Sequence, residues 1–164
     1  MNALRTSLSW MSVLLVDDEP QVTRTVREML RDMGISQIFM AKDGREALDL
    51  LGAFQEDLHL VIADWNMPRM TGIELLTQVR TADPNIAFLL LTGRADRESV
   101  LEARQQGVNA YLRKPFSAEQ LRAKLVILAQ HIRLGQKTGT LDLPEEEVSP
   151  AAGEAFPEPA DSSS

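Results

Sequence analysis

Five short apolar runs punctuate the chain: Val13 to Val16, Ile38 to Ala41, Leu58 to Ala63, Ile86 to Leu91 and Val108 to Leu112. Runs this short and rich in aliphatic residues predict strands. Between them the apolar positions recur with helical period. Val22, Val26, Met29, Leu30 and Met33 form one stripe, with Asp18 placed to cap the helix and Pro20 in its first turn, where a missing N–H costs nothing. Leu121, Leu125, Leu128 and Ile132 form another behind Ser117, a candidate cap. Five strand-and-helix units in alternation predict a parallel sheet covered by helices on both faces.

Strands one, three and four are almost continuously apolar and so predict central positions, whereas Gln37 to Ala41 reads as an edge. A doubly wound α/β sheet of order 2-1-3-4-5 with five helices and right-handed crossovers satisfies this. The helical stretch from Asp96 to Gln106 is the weakest, with only Val100, Leu101 and Ala103 to bury, which predicts shallow packing.

The pattern stops after Leu134. Gly135 to Ser164 carries four of the eight prolines and one lysine against seven acidic residues, −6 of the total −7. The other 134 residues are close to neutral, with 16 basic and 17 acidic groups, which argues against a nucleic-acid surface. The division predicted is an N-terminal extension over 1–11, one domain over 12–134, and an acidic, disordered tail over 135–164. With no cysteine, neither a disulfide nor a thiolate metal site can form. The first residues lack the apolar stretch of a signal peptide, and no run reaches the ~18 residues of a membrane span. The expectation is a soluble, cytoplasmic protein.

In an open parallel sheet, ligands bind beyond the carboxyl ends of the strands where strand order reverses. Strand one ends in Asp17 and Asp18, strand three in Asp64, strand four in Thr92, and strand five in Arg113 and Lys114. The predicted order brings the three carboxylates into one pocket. Such a cluster persists only with compensating positive charge, and oxygen ligands select a hard cation such as Mg²⁺. Lys114 supplies a fixed charge. A carboxylate beside Mg²⁺ and a lysine, with the Thr92 hydroxyl opposite, is equipped to attack a phosphorus centre and become an acyl phosphate.

Taken singly, Asp18 reads as a cap, Thr92 as a strand-end hydroxyl and Tyr111 as a half-buried strand aromatic; they gain chemical meaning as a set. His59 and His131 are lone histidines, read as packing or surface residues and not as ligands or phosphate carriers, and the methionines at helical spacing fill the core. Trp65 is expected to stand partly exposed beside Asp64.

From Ser12 to Leu134 the sequence resembles a receiver domain of two-component signalling, a flavodoxin-like fold, and in particular the single-domain chemotaxis receivers. The stretch Asp64-Trp65-Asn66-Met67-Pro68-Arg69-Met70-Thr71-Gly72 carries the resemblance, with Asp17, Asp18, Thr92 and Lys114 at ordinary spacings. The resemblance implies that Asp64 is the phosphoacceptor and that Asp17, Asp18, Asp64 and the backbone carbonyl of Asn66 hold Mg²⁺, or Mn²⁺ in its place. Thr92 and Lys114 would bind phosphoryl oxygens, Tyr111 would be the switch aromatic, and the Lys114–Pro115 bond would be cis. Gly93 would leave the approach to Asp64 open. Arg94 departs from the chemotaxis type, which commonly carries an acidic residue there. With Asn66 it borders the path of hydrolytic water, so both are expected to tune dephosphorylation.

The implied donor is a histidine kinase or a histidine phosphotransfer protein. The implied target is a protein that reads the face of the fourth helix, fifth strand and fifth helix, with Arg97, Arg104, Tyr111, Arg113, Arg122 and Lys124 as candidate contacts. A phosphorelay intermediate is the alternative within signalling, and a monomer or a phosphorylation-dependent homodimer is expected. No recognisable DNA-binding or catalytic domain follows Leu134. A phosphohydrolase with an aspartate nucleophile would need a general acid two residues after Asp64, where Asn66 stands. Flavin binding is disfavoured because Asp17-Asp18-Glu19-Pro20 would repel a phosphate.

Overall fold

The structure, a computed structural model, describes residues 7–93 and 97–134. Arg94 and the segment 135–164 lie outside the described residues. Five parallel strands, β1 (Ser12–Val16), β2 (Gln37–Ala41), β3 (Leu60–Asp64), β4 (Ala87–Thr92) and β5 (Ala110–Arg113), form one sheet of order 2-1-3-4-5. The intervening helices are α1 (Pro20–Asp32), α2 (Gly44–Phe54), α3 (Gly72–Ala82), α4 (Arg97–Gln105) and α5 (Ala118–Arg133).

Every residue of β1, β3 and β4 is buried, as strands covered on both faces require. β2 is an edge, and Met40 on it is 42% exposed. Val26 and Leu30 turn the apolar stripe of α1 inward, while α4 buries only Ser99, Val100 and Ala103. The helix starts are chemically specified. Ser117 accepts a hydrogen bond from the Gln120 N–H while the Gln120 side chain accepts from the Ser117 N–H, and Thr71 with Glu74 does the same for α3. α1 differs from expectation: Glu19 is its N-cap, without a side-chain bond, and Asp18 does not cap it.

Packing also reaches upstream of Ser12. Leu8 and Met11 are fully buried members of the core. Trp10 stands edge-on to His59 at a centroid separation of 5.0 Å, with the Arg133 guanidinium 5.6 Å from its ring. The Ser12 N–H donates to His59 Nδ1 at 3.0 Å, so His59 closes the amino end of the sheet. Burial lowers the pKa of this imidazole despite the nearby Asp57. Among the described residues no helix is long and apolar enough to cross a membrane.

Candidate functional site

The sheet register assembles the site. Val16 stands beside Ala63, so Asp17, the next residue of its chain, comes level with Asp64; Asp64 in turn neighbours Leu91, and Thr92 neighbours Arg113. The Lys114 N–H donates to the Thr92 carbonyl at 2.7 Å, carrying the ladder one residue past β5. Each functional side chain is thus held by a strand end, the stiffest part of the fold available for positioning. The Lys114–Pro115 peptide bond is cis.

Lys114 Nζ lies 2.8 Å from Asp64 Oδ1 and 3.7 Å from Asp17 Oδ2. Asp17, Asp18 and Asp64 each offer a carboxylate oxygen, all within 4.8 Å of one another. Asp17 and Asp64 are buried and Asp18 is exposed, so the cluster is a pocket with one wall open to solvent. Asp17 Oδ1 accepts from the Glu19 N–H at 2.9 Å, whereas Oδ2 is buried without a hydrogen-bond donor.

The electrostatics follow from this crowding. Burial raises the Asp17 carboxyl to about 6 against the pull of the Glu19 N–H, and the Asp64 charge adds to the rise. Burial also raises Asp64, although the hydrogen bond and charge of Lys114 oppose it. For Lys114, burial acts downward, but the Asp64 hydrogen bond and the charges of Asp64 and Asp17 reverse it and hold the ammonium above its usual range. Both members of one ion pair therefore move upward. At 2.8 Å the two groups form a charged pair, and lost hydration explains the upward direction at Asp64. Three carboxylates sharing one ammonium leave an excess of negative charge. With the undonated Asp17 Oδ2, that excess fits a hard divalent cation held by oxygen ligands.

Thr92 is buried at the end of β4, and a Cβ at Gly93 would meet no atom of the described residues within 4 Å. Asn66 is exposed in the loop after β3. Tyr111 is already inside, 5% exposed, with Lys124 Nζ 5.7 Å from its ring centroid. Trp65 is buried, in contrast to the exposure expected of it. The Gly72 N–H donates to its carbonyl at 2.8 Å, folding the start of α3 over the backbone of Asp64 and Trp65.

One supporting residue escaped the reading of the sequence. Asp43, 8% exposed, accepts from the Glu46 N–H at 2.9 Å and from Arg69 Nη2 at 3.1 Å, joining the start of α2 to the loop that carries Asn66. Those bonds, the Glu46 N–H first, lower its pKa against burial. The signal available was Asp43 three residues before Glu46, a capping-box spacing. Arg69 adopts φ 69°, a left-handed backbone that a non-glycine residue rarely takes.

Fold and pocket together define an α/β module with an acidic, cation-ready pocket at the carboxyl edge of a doubly wound sheet. The model of the response regulator receiver domain family matches residues 13–126, and the chain belongs to that family. It is 42% identical over 117 residues to the chemotaxis protein CheY-3 of Vibrio cholerae, covering 70% of this chain and 88% of that protein. Identity to the chemotaxis protein CheY of Pseudomonas aeruginosa is 40% over 117 residues, 70% of this chain and 93% of that one. The solved structure of Vibrio cholerae chemotaxis protein CheY4 superposes with a TM-score of 0.68 at 33% identity, covering 72% of this chain and 98% of that one. The chain is thus a two-component response regulator by family.

Proposed function

We propose that Asp64 accepts a phosphoryl group from a histidine kinase or a histidine phosphotransfer protein and that the modification switches a protein-binding surface. The observation that carries this reading is Lys114 Nζ at 2.8 Å from Asp64 Oδ1 within the three-carboxylate pocket. Asp17, Asp18, Asp64 and the Asn66 carbonyl would hold the divalent cation. When bound, Mg²⁺ supplies charge that offsets the carboxylates and the incoming phosphoryl oxygens.

In the transfer, an Asp64 carboxylate oxygen forms a P–O bond as the donor's P–N bond breaks. The bonding pair stays on the donor imidazole nitrogen, which takes a proton from solvent. Lys114 neutralises charge that develops on the phosphoryl oxygens, and the Thr92 hydroxyl donates to one of them. Movement of Thr92 then biases Tyr111, which pairs with Leu90 two residues earlier in β4, and with it the face of α4, β5 and α5; a few kcal/mol of differential stabilisation suffices. Asn66 carries an amide where a hydrolase would need a proton donor, which favours signalling over phosphohydrolase chemistry.

Incubation with acetyl phosphate and Mg²⁺ is expected to add one phosphoryl mass to the wild type and none to Asp64→Ala. Equal labelling of the two proteins sinks the reading.

A further inference from the structure

One flank of the molecule combines positive charge with uncovered apolar surface. On α4, Arg97, Leu101 and Arg104 recur at i, i+4 and i+7 and so share a stripe. Thr77 Oγ1 on α3 donates to Gln106 Oε1 just past α4 at 3.1 Å, which turns the Glu102 and Gln106 side toward α3 and the arginine stripe toward the β5 edge. On α5, Lys124 lies against the Tyr111 ring of β5, so Ile127, three residues on, and Leu134, seven beyond that, continue the same flank. Leu101 is 48% exposed, Ile127 41% and Leu134 70%, three of the five exposed large hydrophobics among the described residues. Arg113, half-buried at the end of β5, adds its charge between the two helices. The acidic residues of α4, Glu98 and Glu102, lie off the stripe, and the one of α5, Glu119, sits in its first turn.

The chain supplies a complement. Beyond Leu134, at the end of this flank, come Leu141-Asp142-Leu143-Pro144-Glu145-Glu146-Glu147, two leucines on alternate residues followed by an acidic run. We propose that this segment docks in cis on the flank formed by α4, β5 and α5, its leucines over Leu101 and Ile127 and its glutamates against Arg97 and Arg113. An extended chain turns Leu141 and Leu143 to the same side. The reach is sufficient. α5 has 16 residues and is about 24 Å long. The 11 residues from Leu134 to Glu145 span up to about 36 Å when extended. Leucines therefore meet the middle of the flank and glutamates the end nearest Arg97 and Arg113, close to the carboxyl edge of the sheet.

The contact itself depends only on charge and apolar surface. Its consequence, that the tail competes with a target protein and is displaced when Asp64 is modified, rests on the phosphoacceptor reading. It makes the tail an internal regulator of access to this face.

The chain has no cysteine, so Ser149→Cys gives a single attachment point for a nitroxide on the 164-residue chain. In ¹⁵N correlation spectra, amide peaks of Leu101, Arg104, Arg113 and Ile127 are expected to lose intensity while those of α2 keep theirs. Glu145→Lys with Glu146→Lys and Glu147→Lys, none in the described core, is expected to restore them, as is high salt. Unchanged peaks, or equal losses on α2, overturn the proposal. So does the same loss between a nitroxide-bearing chain and a separate ¹⁵N chain, which places the contact between molecules. Phosphoryl mass on Asp64 with no attenuation defeats the tail contact alone; attenuation with no phosphoryl mass defeats the phosphoacceptor reading alone.

Discussion

Replacing Asp17 with asparagine is expected to stabilise the metal-free protein while abolishing its response to Mg²⁺. Asp17 is 2% exposed, and its carboxyl is raised from 3.8 to about 6, chiefly by burial. A raised pKa in the folded state means that folding favours the protonated acid. Between pH 3.8 and about 6 the folded chain holds a proton that the unfolded chain has lost, so stability falls as pH rises through that window. Above it the penalty is complete, about 3 kcal/mol at about 1.4 kcal/mol per pKa unit. Asparagine keeps an oxygen for the Glu19 N–H, but a neutral acceptor gives back about 1 kcal/mol of that gain. The net gain at pH 7.5 is about 2 kcal/mol, a rise in Tm of about 6 °C for a domain of this size. Urea and thermal unfolding in EDTA at pH 7.5 and pH 4 measure it, and the advantage should shrink toward zero at the lower pH. Added Mg²⁺ should raise the Tm of the wild type much more than that of the variant. A variant less stable than wild type in EDTA at pH 7.5, or a gain that persists unchanged at pH 4, would refute the account of the pocket as charge-strained.

Three other substitutions test separate parts of the structure. Gly72→Ala would drive a Cβ into the Asp64 carbonyl oxygen and to 2.8 Å from Leu90 Cδ1, so it should destabilise by about 1–3 kcal/mol, read as a lower urea midpoint. Ser117→Ala removes one half of the α5 capping box and should cost about 1 kcal/mol by the same measurement, with acetyl phosphate labelling retained. Arg94→Glu should change the decay rate of the phosphorylated protein followed by intact mass; an unchanged rate removes Arg94 from the control of lifetime.

The sheet was legible because burial leaves a direct mark on sequence. Val13 to Val16 and Ile86 to Leu91 have no polar alternation because both faces of β1 and β4 are covered, whereas Gln37 at the edge stays polar. The pocket was legible for the same reason, since strand ends in a parallel sheet share one edge and the chemistry-bearing residues stand there. What escaped depends on contacts distant in sequence. Arg80 donates to the carbonyls of Ile86 and Gly107 and to the Asn109 side chain, a partly buried hub that no periodicity announces. Asp18 was expected to cap α1, but the helix begins one residue later, with Glu19 at the N-cap and Pro20 in the first turn, so Asp18 stands outside the cap position. Trp65 is buried although it follows the end of β3, and Leu8 and Met11 enter the core from a stretch too short to show a period.

The contact of Trp10 with Arg133 has a use in engineering. It brings the start of the packed chain and the end of α5 together, with His59 beside them at the amino end of the sheet. Asp64 closes the opposite end of β3, about 16 Å away along a strand of five residues. A module whose entry and exit meet at one pole can be spliced into a surface loop of a host protein through short joints, without stretching either partner. The acidic pocket, at the far pole, would then face outward from the host and stay open to a phosphodonor.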